Sequence, residues 1–116
     1  MSVRRVVPDV RMDRPEEARA FYQDILGLTV VMDQGWIITF ASEATAQPQI
    51  SVMTEGGSDT AAPDMSIEVD DVDAVYEKAR SAGCSIVYDL TDEPWGVRRF
   101  YVLDPAGKVV NVLSHR

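Results

Sequence analysis

The chain has one cysteine, one histidine and no long apolar run, and each shortage removes a class of protein. A single thiol, Cys84, excludes an internal disulfide and a multi-cysteine metal site and fits a reducing compartment. With no histidine nearby in sequence, it reads as a core thiol rather than a nucleophile. The only imidazole, His115, is the penultimate residue and reads as a surface side chain. No stretch approaches the ~18 apolar residues of a membrane span, and the opening Met1-Ser2-Val3-Arg4-Arg5 lacks the apolar segment of a secretory signal. The expectation is a cytoplasmic protein with no membrane partner. Basic residues are in deficit, 11 against 19 acidic ones, for a net charge of −8. Nucleic-acid binding needs clustered Lys and Arg against phosphates, so the charge counts against that partner. An acidic surface favours cationic ligands, and equally it does no more than keep a protein soluble.

What the chain does have is repetition. Pro8-Asp9-Val10-Arg11-Met12-Asp13, a helical stretch from Pro15 to Leu26 and Gly27-Leu28-Thr29-Val30-Val31 are echoed by Pro63-Asp64-Met65-Ser66-Ile67-Glu68-Val69-Asp70, a helical stretch from Val72 to Ala82 and Gly83-Cys84-Ser85-Ile86-Val87-Tyr88. The offset is 55 residues between Pro8 and Pro63, nearly half the chain, which marks a duplicated unit. Length and a 46% hydrophobic content suit one domain over residues 1–116, with repeats at about 4–54 and 64–115.

Within each copy the pattern predicts βαβββ. Arg4 to Met12 alternates as a half-buried strand, and Asp13, Pro15, Glu16 and Glu17 start a helix whose apolar face is Ala18, Phe21, Tyr22 and Ile25, ended by Gly27. Strands at Leu28–Met32 and Trp36–Ala41 turn through Asp33-Gln34-Gly35, and Gln49–Thr54 closes the copy. Residues 55–63, rich in glycine and small polar side chains, read as a connector. In the second copy, Asp64 to Asp70 puts Met65, Ile67 and Val69 on one face and Asp64, Ser66 and Glu68 on the other. A helix with Val72, Val75, Tyr76 and Ala79 on its apolar face follows, then a strand Ser85–Tyr88, a loop Asp89–Gly96, and a hairpin of Arg98–Asp104 and Lys108–Ser114 around Asp104-Pro105-Ala106-Gly107. The fold class is α+β: two tandem units forming a curled, eight-stranded mixed sheet around a cleft, with the helices outside. Apolar strand faces pack under the helices, so the polar faces, with Asp9, Arg11, Asp64, Ser66 and Glu68, line the concavity.

The run Ala18-Arg19-Ala20-Phe21-Tyr22-Gln23-Asp24-Ile25-Leu26-Gly27-Leu28 and the closing Phe100-Tyr101-Val102-Leu103-Asp104-Pro105-Ala106-Gly107-Lys108-Val109-Val110 resemble the vicinal oxygen chelate superfamily. That group includes glyoxalase I, extradiol dioxygenases, fosfomycin-modifying enzymes and bleomycin-resistance proteins, and the resemblance runs from about Arg4 to His115. It implies a shared scaffold rather than a shared reaction. Its enzymes hold a divalent metal with His and Glu side chains from the first and last strands of the copies. Here those positions fall on Val7, on Asp64, on Asn111 and on Gln49 or Ser51. Valine cannot ligate a metal and neutral amides bind transition metals poorly, so the resemblance implies a dismantled centre with no metal and no cofactor.

Aromatic residues supply a different signal. Trp36, Phe40, Tyr88, Trp95, Phe100 and Tyr101 concentrate near the expected cavity mouth, and Trp95 sits in the polar run Asp92-Glu93-Pro94-Trp95-Gly96, where an indole needs something to cover. The candidate ligand-binding residues are Arg11, Trp36, Asp64, Glu68, Trp95 and Asn111. Two functions remain open. One is a metal-free protein of the bleomycin-resistance type that sequesters a small aromatic or cationic compound in an interface cleft. The other is a lyase or dioxygenase-type enzyme with a degenerate metal site. The superfamily resemblance also implies a homodimer, in which partner contacts cover open sheet edges.

Overall fold

A computed structural model describes residues 5, 7–46, 49 and 51–116. The chain is α+β and divides into two compact units, Met1–Met53 and Thr54–Arg116. The described residues contain six strands, in a two-stranded and a four-stranded sheet, rather than eight in one.

In the N-terminal unit, a 3-10 turn at Pro15–Ala18 leads into a π-helical stretch at Ala20–Ile25. The sequence predicts a regular helix there. Its apolar face is as expected, with Ala18, Phe21 and Ile25 buried, but Leu26 N donates to Phe21 O five residues back, at 3.1 Å. The wider winding keeps the same residues inward, so the spacing alone does not distinguish the two geometries. Gly27, at φ 76°, ends the segment as predicted. Strands β1 (Thr29–Asp33) and β2 (Ile38–Ala41) form an antiparallel hairpin. Its turn is held by Asp33 Oδ1, which accepts from Gly35 N at 2.9 Å. Arg19 ties helix to hairpin through Glu16 at 2.6 Å and Asp33 at 2.7 Å. The described part of the expected opening strand, residues 5 and 7–12, carries no strand, and Pro8 withholds a ladder donor there. Residues 49 and 51–54 carry none either, and Val52 and Met53 are exposed. Arg4, Val6 and Ile50 of those two expected strands lie outside the described residues, as do Gln47 and Pro48 of the expected loop.

The C-terminal unit holds β3 (Met65–Glu68), α1 (Val72–Ser81), β4 (Ile86–Glu93), β5 (Val97–Leu103) and β6 (Val109–His115). The sheet order is β3-β6-β5-β4, with β3 parallel to β6 and the other pairs antiparallel. Asp71 caps α1 by accepting from Ala74 N at 3.1 Å. At the other end Cys84 N reaches Ala79 O and Gly83 N reaches Arg80 O, both at 3.0 Å, with Gly83 left-handed at φ 78°. Phe100, Val102, Val110 and Val112 are fully buried, and Tyr76 of α1 packs edge-on against Phe100 at 5.2 Å. Register places Met65 beside Val110 and Ile67 beside Val112, so the apolar face of β3 joins this core as the alternation predicts.

The helix side also carries the displaced proton affinities. A hydrogen bond from Arg98 holds the Asp73 carboxyl below its ordinary value, and one from Tyr76 does the same for Asp89. Burial pushes the Cys84 thiol up, which opposes thiolate formation and agrees with an inert, half-buried side chain. No helix among the described residues is long and apolar enough to cross a membrane. Replacing the cap, Asp71→Ala, is expected to lower the unfolding free energy by about 1 kcal/mol, read as a shifted urea midpoint at unchanged slope.

Candidate functional site

The sheet of the C-terminal unit has one face under α1, and its other face is built by the same alternation. Strand β5 reads Val97-Arg98-Arg99-Phe100-Tyr101-Val102-Leu103, so Arg99 and Tyr101 point away from the side that holds Phe100 and Val102. Register aligns Tyr88, Tyr101, Asn111 and Ser66 in a row across all four strands. The next row carries Thr91, Arg99, Leu113 and Glu68.

Arg99 is the centre of this face. Its side chain is 5% exposed and that of Glu93 is 2% exposed. Arg99 Nε and Nη2 each lie 2.6 Å from Glu93 Oε2, and Nη1 donates to Tyr101 OH at 3.0 Å. Three rings surround the guanidinium, with centroids 5.0 Å away for Trp95 and Tyr101 and 5.3 Å for Tyr88. Tyr88 OH also donates to Glu93 at 3.1 Å, and Ser58 Oγ donates to Glu93 Oε1 at 2.9 Å. A buried charge pair is tolerable only when its remaining lone pairs and protons find partners, and here nearly all do.

The turn between β4 and β5 makes this geometry possible. The sequence places a loop over Asp89–Gly96, but β4 continues to Glu93, and only Pro94, Trp95 and Gly96 turn the chain. Pro94 sits at the second turn position, Gly96 is left-handed at φ 87°, and Gly96 N donates to Glu93 O at 3.2 Å. The tight turn sets Glu93 opposite Val97 in register, two residues before Arg99, and swings the indole of Trp95 over the guanidinium.

The residues singled out from sequence divide between the two units. Asn111 is on the helix-free face, 8% exposed, with Nδ2 donating to Ser66 Oγ at 3.0 Å. Its Oδ1 is buried without a hydrogen-bond partner among the described residues. Trp95 is 51% exposed, with its ring over Arg99. Glu68 lies on the same face and pairs with His115 Nδ1 at 2.7 Å, so the terminal histidine has a partner on an exposed rim. Asp64 is exposed and straps β3 to β6: its Oδ2 accepts from Val109 N at 2.7 Å and its own N donates to Val109 O at 2.9 Å. Arg11 and Trp36 belong to the N-terminal unit, Arg11 exposed and 3.5 Å from Asp13, Trp36 78% exposed. Sequence reasoning missed Arg99 and Glu93. The available signal was the alternation Val97, Arg99, Tyr101, which puts an arginine and a tyrosine on the face opposite Phe100 and Val102.

Residues 4–112 match the Glyoxalase/Bleomycin resistance protein/Dioxygenase superfamily. The chain belongs to that superfamily. Similar solved structures include TioX from Micromonospora sp. ML1, at 22% identity and a TM-score of 0.65, covering 96% of this chain and 95% of that one. TnmS3, an antibiotic binding protein from Streptomyces sp. CB03234, also has 22% identity and a TM-score of 0.65, over 92% and 91% of the two chains. Lactoylglutathione lyase from Agrobacterium tumefaciens has 22% identity and a TM-score of 0.59, over 89% and 86%. At these identities the likeness speaks for the fold alone. No curated protein matches the chain.

Asp64, the one carboxylate among the positions the resemblance marks, already accepts from Val109 N, and Asn111 offers an amide. Among the described residues no three His, Cys, Asp or Glu side chains come together. What this superfamily member does present is an organised polar and aromatic surface around a charge pair. Glu93→Gln leaves the Arg99 charge buried without its counter-charge and is expected to lower stability by ~3–5 kcal/mol, while the apolar double variant Arg99→Leu/Glu93→Leu recovers much of that loss in urea unfolding.

Proposed function

We propose that this chain is a metal-free small-molecule-binding protein of the glyoxalase/bleomycin-resistance type that holds a flat aromatic compound against the helix-free face of its C-terminal sheet. The observation that carries this reading is Asn111 Oδ1, a buried polar atom without a partner among the described residues, in the middle of a tyrosine and serine row. Ser66 has one hydroxyl and can satisfy one end of the amide; the other end is left for a ligand. The half-exposed indole of Trp95, over Arg99 on the same face, offers a stacking surface. Of the two ligand types open at the sequence level, the aromatic one is favoured, because Arg99 already fills the ring cage as its cation. The description of TnmS3 as an antibiotic binding protein supports the same class of function.

The alternative, lyase or dioxygenase chemistry on a degenerate metal site, lacks a comparable support in the donor set. Asn111 and Trp95 are the proposed direct contacts, and Glu68 and Asp64 the polar edge. The proposal extends to assembly: a cytoplasmic homodimer of single-domain chains with clefts at the interface.

In a panel of planar aromatics read by calorimetry in the Trp36→Phe background, Trp95→Ala is expected to weaken the binding that occurs by about 1–3 kcal/mol. Asn111→Leu is expected to weaken it too while leaving stability unchanged or raised by ~1 kcal/mol, since an unsatisfied buried amide is removed; a destabilised Asn111→Leu with unaltered affinity would make the residue a packing element. Elemental analysis of protein purified without chelators is expected to give far less than one metal per chain, and light scattering at micromolar concentration to give twice the chain mass.

A further inference from the structure

Residues 56–60, within the stretch whose composition marks a connector, form a tight turn seated on the Arg99 cage. Gly56 N donates to Thr60 O and Thr60 N to Gly57 O, both at 2.9 Å. Ser58 and Asp59 between them are both left-handed, at φ 50° and 61°. Consecutive left-handed residues suit asparagine and glycine, so a Ser-Asp tip holds this geometry under strain.

The polar groups of the turn meet the cage. Ser58 Oγ donates to Glu93 at 2.9 Å, and Thr60 Oγ1 lies 3.0 Å from Tyr101 OH. Gly57 O accepts from Arg99 Nη2 at 3.4 Å and Gly56 O from Tyr101 OH at 3.4 Å, the far end of hydrogen-bond range. The backbone also approaches too closely for side chains. A Cβ on Gly57 would stand 2.7 Å from Trp95 Cη2, and one on Gly56 would collide with Tyr101 OH. The turn therefore lays a flat peptide unit against an indole, a carbonyl before a guanidinium and a hydroxyl before a carboxylate.

We propose that this turn is a detachable plug that occupies the Arg99 cage as a built-in substitute for ligand. A compound able to displace it carries the same groups: a planar conjugated body, a carbonyl acceptor for Arg99 and a neighbouring hydroxyl donor for Glu93. The proposal rests on the small-molecule reading above and names the ligand class of that face. The long contacts of Gly56 and Gly57 and the strained tip make exchange for a closer-fitting carbonyl favourable, and the apparent affinity of wild-type protein is reduced by the fraction of molecules that are plugged.

The test is a nuclear magnetic resonance titration with salicylamide, a flat ring bearing carbonyl and hydroxyl, and with benzamide, which lacks the hydroxyl. It compares wild type with Ser58→Ala/Thr60→Val, which removes the two hydroxyls that pin the turn. A second variant, Gly57→Val, forces the turn off Trp95. Salicylamide is expected to shift the Gly57 amide and Trp95 indole signals, to bind either variant about tenfold more tightly than wild type, and to bind more tightly than benzamide. Equal salicylamide affinity in all three proteins, with the Gly57 amide unmoved, would overturn the plug while leaving small-molecule binding intact. Absence of saturation in every protein would overturn the plug and its ligand class, and the aromatic panel with Trp95→Ala then decides the broader reading separately.

Discussion

A guanidinium keeps its charge under all ordinary conditions, so placing Arg99 inside a protein commits the surrounding structure to serving it. The C-terminal unit answers with Glu93 at 2.6 Å, the Tyr101 hydroxyl and three aromatic faces, and the Tyr88 hydroxyl donates to Glu93 in turn. Each answer constrains a different element. Glu93 requires β4 to run to the edge of a three-residue turn, Trp95 requires that turn to be Pro-Trp-Gly, and Tyr88 and Tyr101 fix the register of β4 on β5. The Gly56–Gly57 approach is a further consequence, since only a backbone without side chains comes this near the rings. Such pairs add little net stability once desolvation is counted, and their value lies in fixing one arrangement among many.

That constraint explains why the two faces of one sheet behave so differently. Under α1 the residues are Phe100, Val102, Val110 and Val112, which need no geometry beyond close packing. On the other face Arg99, Tyr101 and Asn111 are buried polar or amphipathic side chains beside the apolar Val97, and among the described residues the Oδ1 end of the Asn111 amide has no partner. A polar face ordered to this degree, with one buried amide end unpaired among the described residues, is the arrangement expected of a binding surface, where a ligand supplies the missing bond.

Much of the fold was legible because its signals are local. Gly27 as a helix end and the Asp104-Pro105-Ala106-Gly107 turn each depend on a few neighbouring residues, and the turn forms with Asp104 Oδ1 accepting from Ala106 N and Lys108 N. The alternation in β3 assigned Ser66 and Glu68 to the polar face for the same reason. The site was less legible because its signals are distant. Arg99 meets Glu93 across a turn and Ser58 reaches that carboxylate across 35 residues, so neither contact has a spacing to read. Asp64, a candidate ligand contact in sequence, straps two parallel strands by a contact that no local spacing reveals. The winding at Ala20–Ile25 differs from a regular helix by one residue per hydrogen bond, a difference that apolar spacing does not record.

The central claim is that ligands meet the helix-free face of the C-terminal sheet. Mapping the side-chain signals of a uniformly labelled protein with a saturating planar aromatic compound tests it most directly. The account predicts shifts along the row Tyr88, Tyr101, Asn111 and Ser66, with Phe100, Val102 and Val112 unmoved. Shifts centred on α1 and the apolar core, with the Asn111 side-chain amide unchanged, would contradict it.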